Sequence, residues 1–159
     1  MDAALSPSAQ RVKDALTALG LPMRVMEMPA TTRTAQEAAD AIGCRVAQIA
    51  KSIVFMGKDT GKPVLVIASG VNRVNEQRMA ERAGEELRKA TPEFVRASTG
   101  FAIGGVPPVG FQAPIETWID EELLLFEEVW AAAGTPFAVF RLDPRLLPRM
   151  TGGVAVRVL

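Results

Sequence analysis

Two segments about fifty residues apart carry groups that could do chemistry. Ala50-Lys51-Ser52-Ile53-Val54-Phe55 sets a lysine at the start of an apolar run. Thr99-Gly100-Phe101-Ala102-Ile103-Gly104-Gly105-Val106-Pro107-Pro108-Val109-Gly110 is a loop with little side-chain bulk. An ammonium group drawn into apolar surroundings must meet a carboxylate, a ligand phosphate or water. In the loop, Pro107 and Pro108 fix φ and donate nothing, while Gly104 and Gly105 allow close approach to the backbone. The amides of Gly104, Gly105, Val106, Val109 and Gly110 are then the free donors, and preorganised amides can hold a carbonyl oxygen or an attacking water. Together the segments suggest a site for an anionic or ester-bearing ligand.

Each feature also has a plainer reading. Lys51 could snorkel, its stem packed and its charge in solvent. Glycine and proline alone often make a rigid turn, sometimes with a cis bond. Arg78, Arg82, Arg88 and Lys89 could contact phosphates, but they are interleaved with Glu81, Glu85 and Glu86 as on a solvated face. Asp120 precedes Glu121-Glu122-Leu123-Leu124 and reads as the cap of a helical turn in preference to a catalytic group.

Composition removes most side-chain devices. The 159 residues include no histidine, no tyrosine and one cysteine. A Ser-His-Asp or Cys-His arrangement is therefore excluded, and a zinc site would need carboxylates plus Cys44, a poor set for that metal. Neither a Walker A sequence nor G-x-G-x-x-G after a strand occurs. No metal or other cofactor is expected. Eighteen basic side chains balance eighteen acidic ones, so contact with nucleic acid must come from a local basic patch. Cys44 has no partner for a disulfide, and the reading for it is a small buried thiol in a reducing compartment. No apolar run approaches the ~20 residues that span a bilayer, and Met1 to Gln10 lacks a basic segment followed by an apolar one. The expected location is the cytoplasm, with neither membrane nor DNA as a partner.

The elements that must position the two segments follow from local signals. Ser6-Pro7 opens a helix with Val12, Leu16 and Leu19 on one face and Gly20 as its stop. Arg24 to Met28 alternates as a short strand. Thr34 and Glu37 form a capping box before a helix carrying Ala38, Ala39 and Ile42, stopped by Gly43. Lys51 to Met56 and Val64 to Ala68 read as central strands of a hairpin around Gly57 to Pro63. Asn75 caps a helix from Glu76 to Ala83, and Glu85 to Ala90 is expected to add another helical turn or two before Thr91-Pro92. Ile115 to Ile119, Glu128 to Ala132 and Phe137 to Leu142 read as strands, Asp143-Pro144 opens a short helix to Met150, and Gly153 to Leu159 closes as a strand. The expectation is one α/β domain over residues 1–159, with about seven strands in a mixed, curved sheet flanked by helices.

The ordered set formed by Ala50 to Phe55, Thr99-Gly100-Phe101, Gly104 to Gly110, Ile119-Asp120 and Ala133-Gly134-Thr135-Pro136 resembles the YbaK/ProX-like family of aminoacyl-tRNA editing domains. The likeness runs from about Thr34 to Leu159, with the family's G-x-x-x-P motif falling on Gly104 and Pro108. It implies an α+β fold with a barrel-like mixed sheet and a free-standing deacylase. That enzyme would hydrolyse the ester of a mischarged tRNA, typically tRNA for proline carrying a small residue, with prolyl-tRNA synthetase as a further partner. The resemblance gives Lys51 the terminal nucleotide or its phosphate, and gives the Gly104 loop the aminoacyl carbonyl and the water, assisted by a ribose hydroxyl. Thr99, Gly100, Phe101, Gly105, Val106, Pro108, Asp120 and Phe137 are the substrate-binding candidates it adds. Phe137 stands where some relatives carry a pocket histidine, which implies a more apolar pocket. Alanine, cysteine, serine and 2-aminobutyrate stay open as the amino acid removed, because one methylene is worth only about 1–3 kcal/mol in such a pocket. The competing reading is a non-catalytic module that binds an aminoacyl or nucleotide-like ligand or a synthetase.

Overall fold

The fold was obtained as a computed structural model that describes residues 4–21 and 23–159. The first three residues of the Met1 to Gln10 stretch lie outside them. Helix α1 (Pro7–Ala18) starts where Ser6 Oγ accepts from the amide of Ala9, and buries Ala9, Val12 and Leu16 on one stripe. After β1 (Val25–Glu27), Thr34 Oγ1 accepts from the amide of Glu37 and opens α2 (Ala35–Ile42), which Gly43 ends at φ +84°.

The centre is the hairpin of β2 (Ile49–Gly57) and β3 (Pro63–Ser69), paired antiparallel from Ala50 opposite Ser69 to Met56 opposite Pro63. Strand β3 is buried on both faces, which is why it reads as an unbroken apolar run. Leu65 and Ile67 join Ala50 and Val54 in the main core beneath α1, together with Phe101 and Phe140. Val64 and Val66 join Phe55 in a second cluster, closed by Met79 of α3 (Glu76–Ala83). Strands β5 (Glu116–Asp120), β6 (Val129–Ala132), β7 (Ala138–Leu142) and β8 (Val154–Val156) complete the path β1-β7-β6-β2-β3-β5-β8. The sheet is mixed, since β2–β6, β3–β5 and β5–β8 are parallel pairs and the others antiparallel. A short helix, α5 (Leu147–Thr151), precedes β8.

Among the described residues the sheet has eight strands, one more than the reading of about seven, because Glu85 to Ala90 is not helical. Leu87–Lys89 forms β4, pairing antiparallel with β2 from Phe55 opposite Lys89 to Gly57 opposite Leu87. Leu87 is buried in the second cluster, and Glu85 is held by the hairpin turn, its carboxylate accepting from the amides of Asp59 and Thr60 and from the Thr60 hydroxyl. These tertiary contacts override a helical preference worth only tenths of a kcal/mol per residue. Next comes α4 (Pro92–Thr99), an element the sequence reading did not include. Its signal was present, for Thr91-Pro92 repeats the cap-and-proline pair of Ser6-Pro7 and Gly100 ends the helix at φ +80°.

Candidate functional site

Strand β2 has three partners, and their placement makes the site. Along one edge it pairs with β3 throughout. Along the other it pairs with β6 only at Ile49 and Ala50, and with β4 only from Phe55 to Gly57. Between these contacts, along that second edge, Lys51 to Val54 have no paired strand residue opposite them among the described residues. A cavity of about 400 Å³ occupies that gap, and Lys51, Ser52, Ile53 and Val54 all line it although alternate side chains belong to opposite faces. Ala35, Ala38 and Ile42 of α2, Trp130 to Ala132 of β6, and Val95 with Val106 supply an apolar wall. Its rim holds Arg33, Lys51 and Lys89, and among the described residues no carboxylate lines the cavity. In a chain with no net charge, every ionised group at this cavity is cationic, and none of the three forms an ion pair among the described residues.

Lys51 is half-buried, and its Nζ lies 3.5 Å from the carbonyl oxygen of Gly70. Burial pushes its pKa below the ordinary lysine value, and the charge of Asp120 works in the opposite direction. Asp120 itself is 1% exposed and does not line the cavity. Its Oδ2 accepts from the Ser69 amide (3.0 Å) and from Asn72 Nδ2 (2.8 Å), and its Oδ1 accepts from the Glu122 amide (2.9 Å). It therefore caps the 3₁₀ turn Glu121–Leu125 and ties down the bend that carries Gly70. Gly70 is required there, since a Cβ would lie 2.4 Å from the carbonyl oxygen of Val46.

Only part of the glycine loop reaches the cavity. Ile103, Gly104 and Val106 line it. The Gly105 amide already donates to the Ala102 carbonyl, and the Gly105 carbonyl accepts from Gly134. A Cβ on Gly105 would sit 2.7 Å from the Thr135 backbone, so this glycine permits a close crossing of two loops. Pro108, Val109 and Gly110 border a separate depression with Phe111 and Met150. Of the five amides expected as free donors, those of Gly104 and Val106 belong to residues at the cavity.

Thr99, Gly100 and Phe101 lie behind the wall. Thr99 Oγ1 donates to the Val95 carbonyl and accepts from the Phe101 amide. Phe101 is fully buried beneath the Arg11 guanidinium, 4.4 Å above its ring, and Arg11 also donates to the Gly100 carbonyl. These three residues anchor the loop's entry. Phe137 is 42% exposed and outside the cavity, where its carbonyl accepts from the Met28 amide. Thr32 donates to Pro136 through both its amide and its hydroxyl, so the Gly-Thr-Pro turn clamps the segment leading to Arg33.

The sequence reading did not select Thr32, Arg33, Ser52, Ile103 or Trp130 as site residues. Ser52 stands beside Lys51, and Arg33 directly precedes the cap of α2, but nothing local announces a shared cavity. Cys44 does not line the cavity; it packs against the cluster that contains Ile49, and burial raises its thiol pKa. Among the described residues no group of three metal-ligating side chains occurs, and no helix is long and apolar enough to cross a membrane.

Gly104 gives a direct test of loop geometry. It sits at φ +88°, and a Cβ there would lie 2.7 Å from Arg33 Cγ. Gly104→Ala is expected to cost about 1 kcal/mol or more of stability from backbone strain. A thermal melt equal to that of the unmodified protein would show that the bend relaxes without strain.

A solved structure described provisionally as a trans-editing enzyme for prolyl tRNA synthetase superposes with a TM-score of 0.91, is 50% identical and covers 98% of both chains. YwhH of Bacillus subtilis is 31% identical over 123 residues, 77% of this chain and 78% of that protein. EbsC of Enterococcus faecalis, provisionally named a Cys-tRNA(Pro)/Cys-tRNA(Cys) deacylase, is 25% identical over 121 residues, 76% of this chain and 73% of its own. Residues 29–150, which contain Arg33, Lys51, Lys89 and Gly104, match the aminoacyl-tRNA editing domain. By that match the chain belongs to the aminoacyl-tRNA editing domain family.

Proposed function

We propose that the protein hydrolyses the ester linking a small, wrongly attached amino acid to tRNA, acting in trans on tRNA for proline. The observation that carries this reading is the shared cavity: the Lys51 amine and the Gly104 bend open onto one apolar space with a cationic rim. The rim suits the phosphates of an acceptor end, and the apolar interior suits a small side chain. The names of the relatives point the same way, toward mischarged tRNA and the prolyl system.

In this scheme Lys51 holds the terminal nucleotide through its phosphate, and the bend at Gly104 orients the aminoacyl carbonyl and a water. The water oxygen adds to the carbonyl carbon, and the ester bond to the ribose oxygen breaks. A water proton ends on that ribose oxygen, with the neighbouring ribose hydroxyl of the substrate assisting the transfer. Catalysis then rests on positioning and on amides aimed at the developing oxyanion, which suits a chain without histidine.

The test is turnover. Sub-stoichiometric protein is added to proline tRNA charged with alanine, cysteine, serine or 2-aminobutyrate, and at least one pool is expected to be cleared over many turnovers. Protection of the ester without hydrolysis would replace the hydrolase with a non-catalytic aminoacyl-tRNA binding module.

A further inference from the structure

The gap in the sheet leaves main-chain groups unpaired inside the cavity, and the register says which ones. The Gly57 amide donates to the Lys62 carbonyl and the Gly70 amide to the Ile49 carbonyl, so odd-numbered residues of β2 direct their backbone groups at β3. The Lys58 amide donates to the Glu86 carbonyl, so even-numbered residues direct theirs at the opposite edge. There Ala50 is occupied by β6, and the pairing of Phe55 with Lys89 assigns the Val54 carbonyl to the amide of Ala90. Ser52 remains, with both its N–H and its C=O on the open edge and no strand opposite.

Ser52 lines the cavity, and its own hydroxyl is buried without a hydrogen-bond partner among the described residues. A strand residue with both groups free can exchange two hydrogen bonds with a single facing residue, as in a hydrogen-bonded antiparallel pair. The open stretch is closed at one end by β6 and at the other by β4, so it cannot accept a peptide strand of several residues. It has room for one aminoacyl unit. Such a unit presents an ammonium donor and a carbonyl acceptor on either side of one carbon, the complement of what Ser52 offers.

We propose that the free edge of β2 at Ser52 docks the aminoacyl group of the substrate. The Ser52 N–H donates to the ester carbonyl oxygen, and the Ser52 C=O accepts from the α-ammonium group. The first bond strengthens as that oxygen gains negative charge, so it contributes to the transition state as well as to binding. The second selects for an unacylated amino acid. This placement rests on the hydrolase reading above and adds to it a specific donor and acceptor beyond the Gly104 bend.

Two measurements test it. Proline at position 52 removes the N–H without breaking a ladder bond, since that N–H faces no strand. Ser52→Pro is compared with Ser52→Ala, so that both lack the hydroxyl and the ratio isolates the main-chain donor. Deacylation kcat/KM is expected to fall about 10²- to 10³-fold from Ser52→Ala to Ser52→Pro. The second measurement needs no variant. Amide hydrogen exchange is followed in the unmodified protein with and without 3′-alanylamino-3′-deoxyadenosine, a non-hydrolysable aminoacyl end. The Ser52 amide is expected to exchange fast in the free protein and to slow when the analogue binds, while Lys51 and Ile53, laddered to β3, are slow in both. Equal activity of the two variants, or an unchanged Ser52 amide at saturating analogue, overturns the placement alone. If the unmodified protein neither clears mischarged tRNA nor binds the analogue, the hydrolase reading falls and this placement with it.

Discussion

Replacing Lys51 by methionine is expected to lower deacylation kcat/KM by about 10²-fold or more while leaving the melting temperature unchanged or higher. Methionine keeps most of the stem volume and deletes the charge. In the fold that charge is poorly compensated: its hydrogen-bond partner is one carbonyl at 3.5 Å, and among the described residues no carboxylate pairs with it. Burial accordingly holds its pKa below that of an exposed lysine, with Asp120 only partly opposing the shift. The sign follows from proton linkage. Between the folded pKa and 10.5 the unfolded chain binds more protons, so stability rises with pH across that window, and below it the charged amine is a net cost. An amine kept at such a cost is a strong candidate for work on a ligand. If its charge grips a phosphate, activity corrected for spontaneous ester hydrolysis should decline at a pH below 10.5. Lys51→Arg, charged at every accessible pH, should remove that decline while retaining part of the activity. Single-turnover deacylation and a thermal melt on the same preparations decide the matter; a methionine variant that is folded and as fast as the parent would release Lys51 from the site.

Asp120→Ala carries the second large effect, about 2–5 kcal/mol of lost stability. The carboxylate is buried and receives three donors, from Ser69, Asn72 and Glu122. Truncation strands two of them, the Ser69 amide and Asn72 Nδ2, in a buried environment. The loss should propagate to activity because the bend it ties down presents the Gly70 carbonyl to Lys51. A merely structural role would leave the pH profile alone. Here, removing the negative charge deletes the influence that raises the Lys51 pKa, so the alkaline decline in activity should move to lower pH. Asp120→Asn preserves the shape but turns an amide group toward existing donors, and an intermediate loss is expected. Denaturant unfolding measures the first effect and the pH dependence of kcat/KM the second; an unshifted profile would mean that Lys51 does not sense the charge of Asp120.

Much of the frame is written in short-range chemistry. Ser6, Thr34 and Asn75 cap their helices, and Gly43 and Gly84 end theirs in the left-handed region. Each of these is settled by a residue and its neighbours three or four positions away, and each was readable. The paired apolar runs of β2 and β3 were equally plain, because a hairpin needs only a turn and two strands. Leu87 to Lys89 was not, since those residues become a strand only by completing the far end of β2 and burying Leu87.

The candidate site divides along the same line. Residue types alone ruled out imidazole chemistry and drew attention to Lys51 and the Gly104 to Gly110 loop, each with a plainer reading beside it, while the resemblance to the editing family is what assigned Lys51 and Gly104 to the substrate. Their meeting in one cavity depends on where β6 stops and β4 begins along a shared edge, a distance set by strands some thirty to eighty residues away in the chain. The same long-range packing gave Thr99, Gly100 and Phe101 a supporting place behind the wall, left Phe137 on the surface, and turned Ser52 into an unpaired edge residue. Local sequence fixes which groups a residue carries, whereas an empty space between strands belongs to the assembled sheet and to no segment of it.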